Sequence, residues 1–410
     1  MKTIVQISPE RKSFNMNDVA PLVKPAVTLK PFDDRTVQFF DDLSKAIMNS
    51  GELNRVAEIV SLAFWLRKAN INQYIKENNH LVDQHNYKIS PVGIVFHVCP
   101  SNVDTMFMYS LAVSLLMGNR NILRVSQREG SSHLNTLFNV VNDHVAKREN
   151  NYFRNYFSIV TYGHDKVINE YFSLHANARM IWGGDATIET FQSFPVMPRT
   201  KDIVFADRVS YSLFKSSEFL SCSEKEKSEV AEKFYNDSYS FNQKGCSCPQ
   251  TIFILGKESD NKLFRNEFYE ALRIVVLKKY DADIYSLSSL KLNRLAENAM
   301  DEKISDVIEK NNHVVFAELN NSSDASGTCG GGLFYTKSIN ELKDIFPFIN
   351  SKVQTVGYFG LDEKELKTLA ELSSGKGIDR LVPVGKALDF HYIWDGYNLF
   401  NELCVNRFVL

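Results

Sequence analysis

The sequence of residues 91–125 is PVGIVFHVCPSNVDTMFMYSLAVSLLMGNRNILRV. The order of short and long apolar runs in this segment indicates the fold class. A short apolar run predicts a strand over Gly93–Val98. A longer apolar run predicts a buried helix over Thr105–Met117, which Gly118 ends. A second strand is predicted over Asn121–Val125. A strand, a helix and a strand in this order are typical of two parallel strands joined by a crossover helix.

The same alternation continues after residue 125. The predicted helices are Ser132–Lys147, Asp165–His175 and Ala186–Phe194, and the predicted strands are Phe157–Tyr162, Arg179–Trp182 and Asp202–Ala206. Such alternation indicates an α/β fold with a doubly wound, parallel sheet covered by helices. Before residue 90, three prolines and two amphipathic helices, Arg35–Met48 and Leu53–Lys76, indicate a peripheral segment.

A second α/β region follows from about residue 238. The predicted elements are helices Glu224–Tyr235, Asn261–Leu277 and Ser288–Met300, and strands Thr251–Gly256, Val314–Glu318, Leu333–Thr336 and Val353–Phe359. The tail from Lys386 is rich in aromatic residues, and we expect it to pack on the body of the protein or on another subunit.

Composition excludes several classes of protein. The chain has 410 residues, with 47 Lys plus Arg against 49 Asp plus Glu, so it carries no basic footprint for nucleic acid. The longest apolar run, Met106–Met117, is shorter than the ~20 residues that span a bilayer. Residues 1–15 lack the apolar core of a secretory signal. The six cysteines follow no disulfide or zinc spacing, so we expect a cytoplasmic protein without a bound metal.

The segment FNQKGCSCP, residues 241–249, holds the strongest candidate for chemistry. Cys246 follows a polar turn that contains a glycine and precedes a strand, so its thiol can be exposed in a cleft. A cysteine becomes a useful nucleophile where its surroundings favour the thiolate. Two other interpretations stay open: a buried structural cysteine, and a metal or redox pair of Cys246 with Cys248.

Two turns are candidates for phosphate binding. Gly183 and Gly184 follow a strand and precede a helix, so backbone N–H groups there can approach a phosphate. Arg124 and Ser126 lie at the carboxyl edge of the predicted sheet, where such sheets bind ligands. Taken alone, each of these segments is more often an ordinary turn than a binding site. The run of three glycines at 330–332 is interpreted as a flexible turn before a strand.

Together these segments resemble the acyl-CoA reductase (LuxC-type) family of bacterial bioluminescence, a branch of the aldehyde dehydrogenase superfamily. The resemblance covers most of the chain from about residue 90 to residue 400. The motifs that carry it, in chain order, are PVGIVFH (91–97), PSNV (100–103), GNRNILRVS (118–126), YGHD (162–165), WGGD (182–185), NQ (242–243) before CS (246–247), RLVPVG (380–385) and WDGY (394–397).

The resemblance implies an aldehyde-dehydrogenase-like fold and a role for each candidate. Cys246 is the expected nucleophile, and Asn102, otherwise a turn former, is the expected oxyanion-hole amide. Arg124 and Ser126 match a cofactor segment, and the glycine pair 183–184 matches the pyrophosphate turn. The implied reaction is reduction of a fatty acyl thioester such as acyl-CoA by NADPH, through an acyl group on the nucleophile.

The sequence also departs from the superfamily pattern. Hydrolytic members have a glutamate that activates water, whereas the matching stretch here, Val204–Arg208, has none. The usual segment that holds the nicotinamide ribose is not recognisable. The first departure favours a reductase over its rival, an NAD(P)-dependent aldehyde dehydrogenase. A third alternative is a degenerate subunit that carries an acyl group without catalysis, which the intact Cys246 and Asn102 argue against.

The resemblance sets the expected domains and partners. We expect a peripheral N-terminal segment (1–89), an NADP-binding domain (90–237), a catalytic domain with the nucleophile (238–385) and a C-terminal packing or oligomerisation tail (386–410). The expected partners are an acyl thioester, an acyl-activating enzyme and further copies of the chain in a homo-oligomer.

Overall fold

The computed structural model describes residues 3–24, 29–81, 87–100, 103, 105–126, 132–280, 285–320 and 329–408. Contacts divide the chain into two compact units. Unit 1 comprises residues 1–207 and 390–410, and unit 2 comprises residues 208–389.

Unit 1 begins with eight strands and seven helices. The strands are β1 (Thr3–Ser8), β2 (Lys12–Asn15), β3 (Tyr87–Pro91), β4 (Ile94–Val98), β5 (Arg120–Arg124), β6 (Phe157–Thr161), β7 (Ala178–Trp182) and β8 (Lys201–Phe205). The helices are α1 (Asp34–Met48), α2 (Ala57–Trp65), α3 (Lys68–Glu77), α4 (Met106–Leu116), α5 (Ser132–Ala146), α6 (Lys166–His175) and α7 (Asp185–Gln192).

The sheet of unit 1 has the order β2-β1-β6-β5-β4-β7-β8. The five strands from β6 to β8 are parallel, as the alternating pattern predicts. Chain order reverses between β4 and β7, because the chain runs outward from β4 through β5 to β6 and then returns to β7. The carboxyl ends of β5, β4 and β7 therefore meet at one edge, where doubly wound sheets bind ligands.

The first ninety residues contribute to this unit more than the sequence indicates. β1 extends the sheet by pairing antiparallel with β6. Phe39, Phe40 and Leu43 of α1 are buried in the same apolar cluster as α4. The helix predicted over Leu53–Lys76 is two helices, α2 and α3, which are separated at Leu66 and Arg67.

Unit 2 contains a second seven-stranded sheet. Its elements are β9 (Val209–Lys215), α8 (Ser216–Leu220), α9 (Glu224–Tyr239), β10 (Pro249–Leu255), α10 (Glu258–Lys279), α11 (Tyr285–Met300), β11 (Ile304–Asn311), β12 (Val314–Leu319), β13 (Leu333–Ile339), β14 (Val353–Phe359), α12 (Glu363–Leu372) and β15 (Arg380–Pro383). The order is β11-β12-β13-β10-β9-β14-β15. All pairs are parallel except β11 with β12.

The tail returns to unit 1. It contains β16 (Ile393–Trp394), β17 (Tyr397–Asn398), α13 (Leu399–Glu402) and β18 (Cys404–Phe408). β18 pairs antiparallel with β3, and the Tyr109 hydroxyl donates to the His391 carbonyl at 2.6 Å. Phe390, Trp394 and Phe400 lie in the main apolar cluster of this unit. The tail therefore packs within unit 1.

The contact-based division differs from the domain boundaries expected at residues 89, 237 and 385. It falls after Asp207 because β9 forms the middle of the second sheet, with β10 on one side and β14 on the other. The N-terminal segment and the tail share the core of unit 1. Within the described ranges, every helix is too short or too polar to cross a membrane.

Candidate active site

Cys246 lies in the loop between α9 and β10, at the amino end of β10, and is exposed. Burial raises the pKa of the other five thiols: to about 12 for Cys248 and Cys404, and above its ordinary value for Cys99, Cys222 and Cys329. A buried thiol with a raised pKa is a poor nucleophile. Exposure therefore separates Cys246 from its neighbour Cys248, which is fully buried.

The loop that carries Cys246, residues 240–248, is here called the nucleophile loop. Asn242 and Gln243 are both in the left-handed backbone region, with φ of 51° and 60°. The Gln243 N–H donates to the Ser238 carbonyl at 2.8 Å, so the chain turns sharply at the end of α9. Asparagine adopts this conformation readily, but glutamine does so at a cost. Other contacts must therefore hold Gln243 in place.

The side chain of Gln243 supplies these contacts. It is buried, and its amide donates to the carbonyls of Pro249, at 3.1 Å, and Leu333, at 2.8 Å. Its Oε1 accepts from the Gly332 N–H at 3.1 Å. Gln243 thus connects the nucleophile loop to the beginnings of β10 and β13.

The backbone of Cys246 itself is fixed from the other side of β10. The Ser210 hydroxyl donates to the Cys246 carbonyl at 2.7 Å and accepts from the Thr355 N–H at 3.2 Å. The Ser247 hydroxyl donates to Gln354 at 2.7 Å. Ser210 lies near the start of β9, and Gln354 and Thr355 lie near the start of β14. The nucleophile loop therefore rests on the amino edge of the parallel sheet.

The three glycines at 330–332 are part of this arrangement. All have positive φ, between 64° and 87°. A Cβ on Gly330 would lie 2.5 Å from the Asn242 carbonyl oxygen, and one on Gly332 would lie 2.1 Å from the His313 carbonyl oxygen. The Gly331 N–H donates to the Asn242 carbonyl at 3.0 Å. The sequence identified a turn before a strand but missed that this turn supports the nucleophile loop.

A buried carboxyl group lies at the end of α9. Asp237 accepts from the backbone N–H groups of Gly385, at 2.6 Å, and Ala387, at 3.0 Å. Burial raises the pKa of Asp237 to about 7, although the two backbone donors lower it. Gly385, the last residue of the RLVPVG motif, is thus hydrogen-bonded to Asp237 of α9. The sequence did not predict this contact.

Arg124 ends β5, at the carboxyl edge of the first sheet. Its side chain is buried, with the guanidinium 5.2 Å from the centre of the Tyr162 ring. Its Nε has no hydrogen-bond partner among the described residues. A buried guanidinium N–H without a partner is costly, and a phosphate oxygen is a suitable acceptor. Ser126, two residues further on, is exposed.

Gly183 and Gly184 connect β7 to α7, and Gly184 is the N-cap of that helix. The space beside both glycines is narrow: a Cβ on Gly183 would lie 2.9 Å from the Thr187 side chain, and one on Gly184 would lie 3.0 Å from the Asp207 carboxylate. A flat turn at the positive end of a helix suits a phosphate group. The Arg124 Nε, which has no hydrogen-bond partner among the described residues, and this glycine turn are both suited to contact a phosphate group.

The expected site residues fall in both units. Arg124, Ser126, Gly183 and Gly184 belong to unit 1, along one edge of its sheet, whereas Cys246 belongs to unit 2. Asn102 lies outside the described residues. Within the described part of the chain, no group of three or more His, Cys, Asp or Glu side chains is arranged to hold a metal ion.

Comparisons with known proteins identify the family and the fold of the chain. The family model described as acyl-CoA reductase (LuxC) matches residues 34–405. No curated protein matches the sequence. Among solved structures, an oxidoreductase from Marinobacter aquaeolei is similar with a TM-score of 0.64 and 13% identity, over 95% of this chain and 89% of that chain.

Two further solved structures are similar over comparable lengths. Aldehyde dehydrogenase 21 from Physcomitrella patens, in complex with succinate, has a TM-score of 0.62 and 12% identity, over 92% of this chain and 84% of that chain. Glyceraldehyde-3-phosphate dehydrogenase GapN from Methanocaldococcus jannaschii, complexed with NADP, has a TM-score of 0.61 and 13% identity, over 95% of this chain and 88% of that chain. These likenesses confirm the aldehyde-dehydrogenase-like fold.

Proposed function

The chain belongs to the acyl-CoA reductase (LuxC) family, and from this premise we propose that it reduces a fatty acyl thioester to a long-chain aldehyde with NADPH. The observation that carries the proposal is that the nucleophile loop is held in place by hydrogen bonds while the thiol on it is exposed. Cys246 is exposed there, while its backbone is fixed by Ser210 and its loop by Gln243. An accessible thiol on a rigid support is what covalent catalysis requires.

In the first half-reaction, the Cys246 thiolate attacks the acyl carbonyl carbon. The carbonyl oxygen becomes an oxyanion, which the Asn102 amide and the Cys246 N–H stabilise. The tetrahedral adduct then collapses, the bond to the CoA sulfur breaks, and CoA leaves as a thiolate. The acyl group remains on Cys246 as a thioester.

The second half-reaction needs a bound nicotinamide cofactor. Arg124 and Ser126 would bind its adenosine end, and Gly183 and Gly184 would border its pyrophosphate. When bound, the cofactor would supply a hydride to the acyl carbonyl. Cys246 then departs as a thiolate from the reduced carbon and releases the aldehyde. Arg124 supports NADPH over NADH because a guanidinium suits the additional phosphate.

Reduction accounts for the residues after β8 better than hydrolysis does. Ala206 and Asp207 follow β8 where a water-activating glutamate is expected in an aldehyde dehydrogenase. Without that base, water is not activated for attack, and the acyl thioester remains on Cys246 until hydride is transferred to it. We propose a CoA ester or an acyl group from an activating partner enzyme as the donor, and a homo-oligomer as the assembly.

The test is to mix the protein with acyl-CoA in the absence of NADPH and to measure the mass of the intact chain. We expect one acyl adduct on wild type and on Cys248→Ser, and none on Cys246→Ala, because Cys248 is buried with a raised pKa. An adduct that persists in Cys246→Ala would overturn the assignment.

A second measurement separates reductase from dehydrogenase. Loss of NADPH with a series of acyl-CoA chain lengths is compared with NADP⁺ reduction by the matching aldehydes in water. Faster turnover of the aldehydes without CoA would favour the aldehyde dehydrogenase, and a chain that binds no cofactor would favour the non-catalytic subunit.

A further inference from the structure

The N-terminus of α7 is where the proposed function places the cofactor pyrophosphate. α7 begins at Asp185, directly after the N-cap Gly184, and its first turn already contains the carboxylate of Asp185. The backbone N–H groups of a first helical turn carry partial positive charge. They can bind either an anionic ligand or a carboxylate of the protein itself.

A second carboxylate of the protein reaches this position. The Asp185 N–H donates to Asp207 Oδ2 at 3.3 Å, and the Asp207 N–H donates to Asp185 Oδ1 at 3.4 Å. The Asp207 carboxylate also lies directly over the glycine turn, since a Cβ on Gly184 would be 3.0 Å from Asp207 Oδ2. The Asp207 carboxylate therefore occupies the space that a phosphate at this turn would use. It also accepts from the N–H group that would donate to the phosphate.

Among the ion pairs between described residues, none includes Asp207, and its neighbour Arg208 pairs instead with Asp379. Both Asp207 and Asp185 are exposed. An approaching pyrophosphate thus meets two carboxylates at the helix end that is expected to attract it.

We infer that Asp207 competes with the cofactor pyrophosphate for the N-terminus of α7 and thereby weakens the affinity for NADPH. This inference rests on the proposed function. Asp207 acts as an internal anion that holds the helix end until the cofactor displaces it. A capping role alone predicts a different result when the Asp207 carboxylate is removed. Loss of a cap lowers the stability of the protein and does not strengthen cofactor binding.

The variant Asp207→Asn separates the two roles. Asparagine keeps an oxygen that can accept from the Asp185 N–H, but it removes the charge. We expect the Kd for NADPH, measured by fluorescence titration without acyl substrate, to fall roughly three- to tenfold. The gain should be larger at low ionic strength, because salt screens repulsion between exposed charges.

The matched control is Asp362→Asn, which removes the same charge from the N-cap of α12, where Asp362 accepts from the Glu365 N–H. Its Kd for NADPH should equal that of wild type. Asp207→Ser gives a second uncharged variant with capping ability, so the test survives misfolding of the first.

An unchanged or higher Kd in folded Asp207→Asn or Asp207→Ser overturns the inference while the proposed function stands. A lower melting temperature with no gain in affinity does the same and assigns Asp207 to capping. A wild-type protein that binds neither NADPH nor NADH overturns the proposed function itself.

Discussion

At the residue scale, Arg124 packs against an aromatic ring, and its Nε donates no hydrogen bond to any residue that the structure describes. The guanidinium faces the Tyr162 ring, and the Tyr162 hydroxyl in turn donates to Asn169 at 2.8 Å. Burial raises the pKa of Tyr162, so the ring remains neutral beside the cation. The arrangement fixes a planar fork of donors before any anion arrives, which is the property that distinguishes arginine from lysine.

If Arg124 contacts the 2′-phosphate, Arg124→Ala should lose kcat/KM for NADPH selectively. We expect a loss of about 1.5–3 kcal/mol with NADPH, the size of a hydrogen bond to a charged group, and a small change with NADH. Arg124→Lys keeps the charge without the fork and should recover part of the loss. Equal losses for both cofactors in Arg124→Ala would show that the residue only supports the fold.

At this scale the sequence predicts the type of residue better than its contacts. Cys246 stands out as a candidate for chemistry because its thiol follows a polar turn that contains a glycine, and the resemblance to the LuxC-type family implies the role of nucleophile. Asp207 and Gln243 are not recognisable, because their partners are distant along the chain: Asp185 for the first, and Leu333 and Gly332 for the second. Only the folded chain brings such groups within hydrogen-bonding distance.

At the scale of elements, the glycine turn before β13 and the nucleophile loop before β10 form one support. β10 and β13 are parallel neighbours, so the residues that precede them lie side by side at the same sheet edge. The turn provides the space and two N–H groups, and the loop provides the acceptors. A substitution in the glycine turn should therefore alter the conformation of the nucleophile loop, and a substitution in the loop should alter the turn.

Gly332→Ala should destabilise unit 2 and move the nucleophile loop. The added Cβ would lie 2.1 Å from the His313 carbonyl oxygen, with φ at 87°. Left-handed strain plus overpacking gives an expected loss of roughly 2–5 kcal/mol in the free energy of unfolding by urea. The rate of Cys246 alkylation by iodoacetamide should change as well, since the loop shifts.

The control for this change is Gly375→Ala. Gly375 has a similar φ of 73° but nothing within 4 Å of its Cβ position. This variant should lose only about 1–2 kcal/mol, the cost of the left-handed conformation, with Cys246 alkylated at the wild-type rate. Equal losses in the two variants would mean that the glycine turn does not support the loop.

Strands with long apolar runs are predictable from the sequence, whereas β9, in which two serines interrupt the apolar residues, is not. β4, β5, β7 and β10 follow the predicted strands within a few residues. β9 was missed because its sequence, VSYSLFK, places Ser210 and Ser212 at fully buried positions. One of these serines holds the Cys246 carbonyl, so the residue that obscured the strand is part of the candidate site.

At the scale of the whole molecule, unit 1 is discontinuous. Its sheet and most of its core come from residues before 208, but the tail from residue 390 completes the core. The three tryptophans, Trp65, Trp182 and Trp394, all lie in unit 1, so tryptophan fluorescence reports on this unit alone. The sequence could not assign the tail to one partner, because aromatic residues suit a core and a subunit interface equally.

Phe400→Ala should therefore destabilise unit 1 strongly. Phe400 is fully buried, and its ring centre lies 5.0 Å from those of both Phe32 and Tyr392. Loss of a buried phenylalanine costs about 3–5 kcal/mol, so the urea midpoint seen by tryptophan fluorescence should fall clearly. Phe408→Ala, which changes an exposed residue of the same tail, should move the free energy by less than about 0.5 kcal/mol. Matching midpoints would show that the tail is dispensable.

The pairing of β3 with β18 has a consequence during synthesis on the ribosome. β3 emerges early in the nascent chain, and the whole of unit 2 is translated before its partner strand appears. At about 5–20 residues per second, this interval lasts about 15–60 seconds. Throughout that time the backbone N–H and C=O groups of β3 form an unpaired strand edge, which is open to association with other chains. Chaperone capture of the growing polypeptide should therefore concentrate on this early strand and cease once β18 has been made.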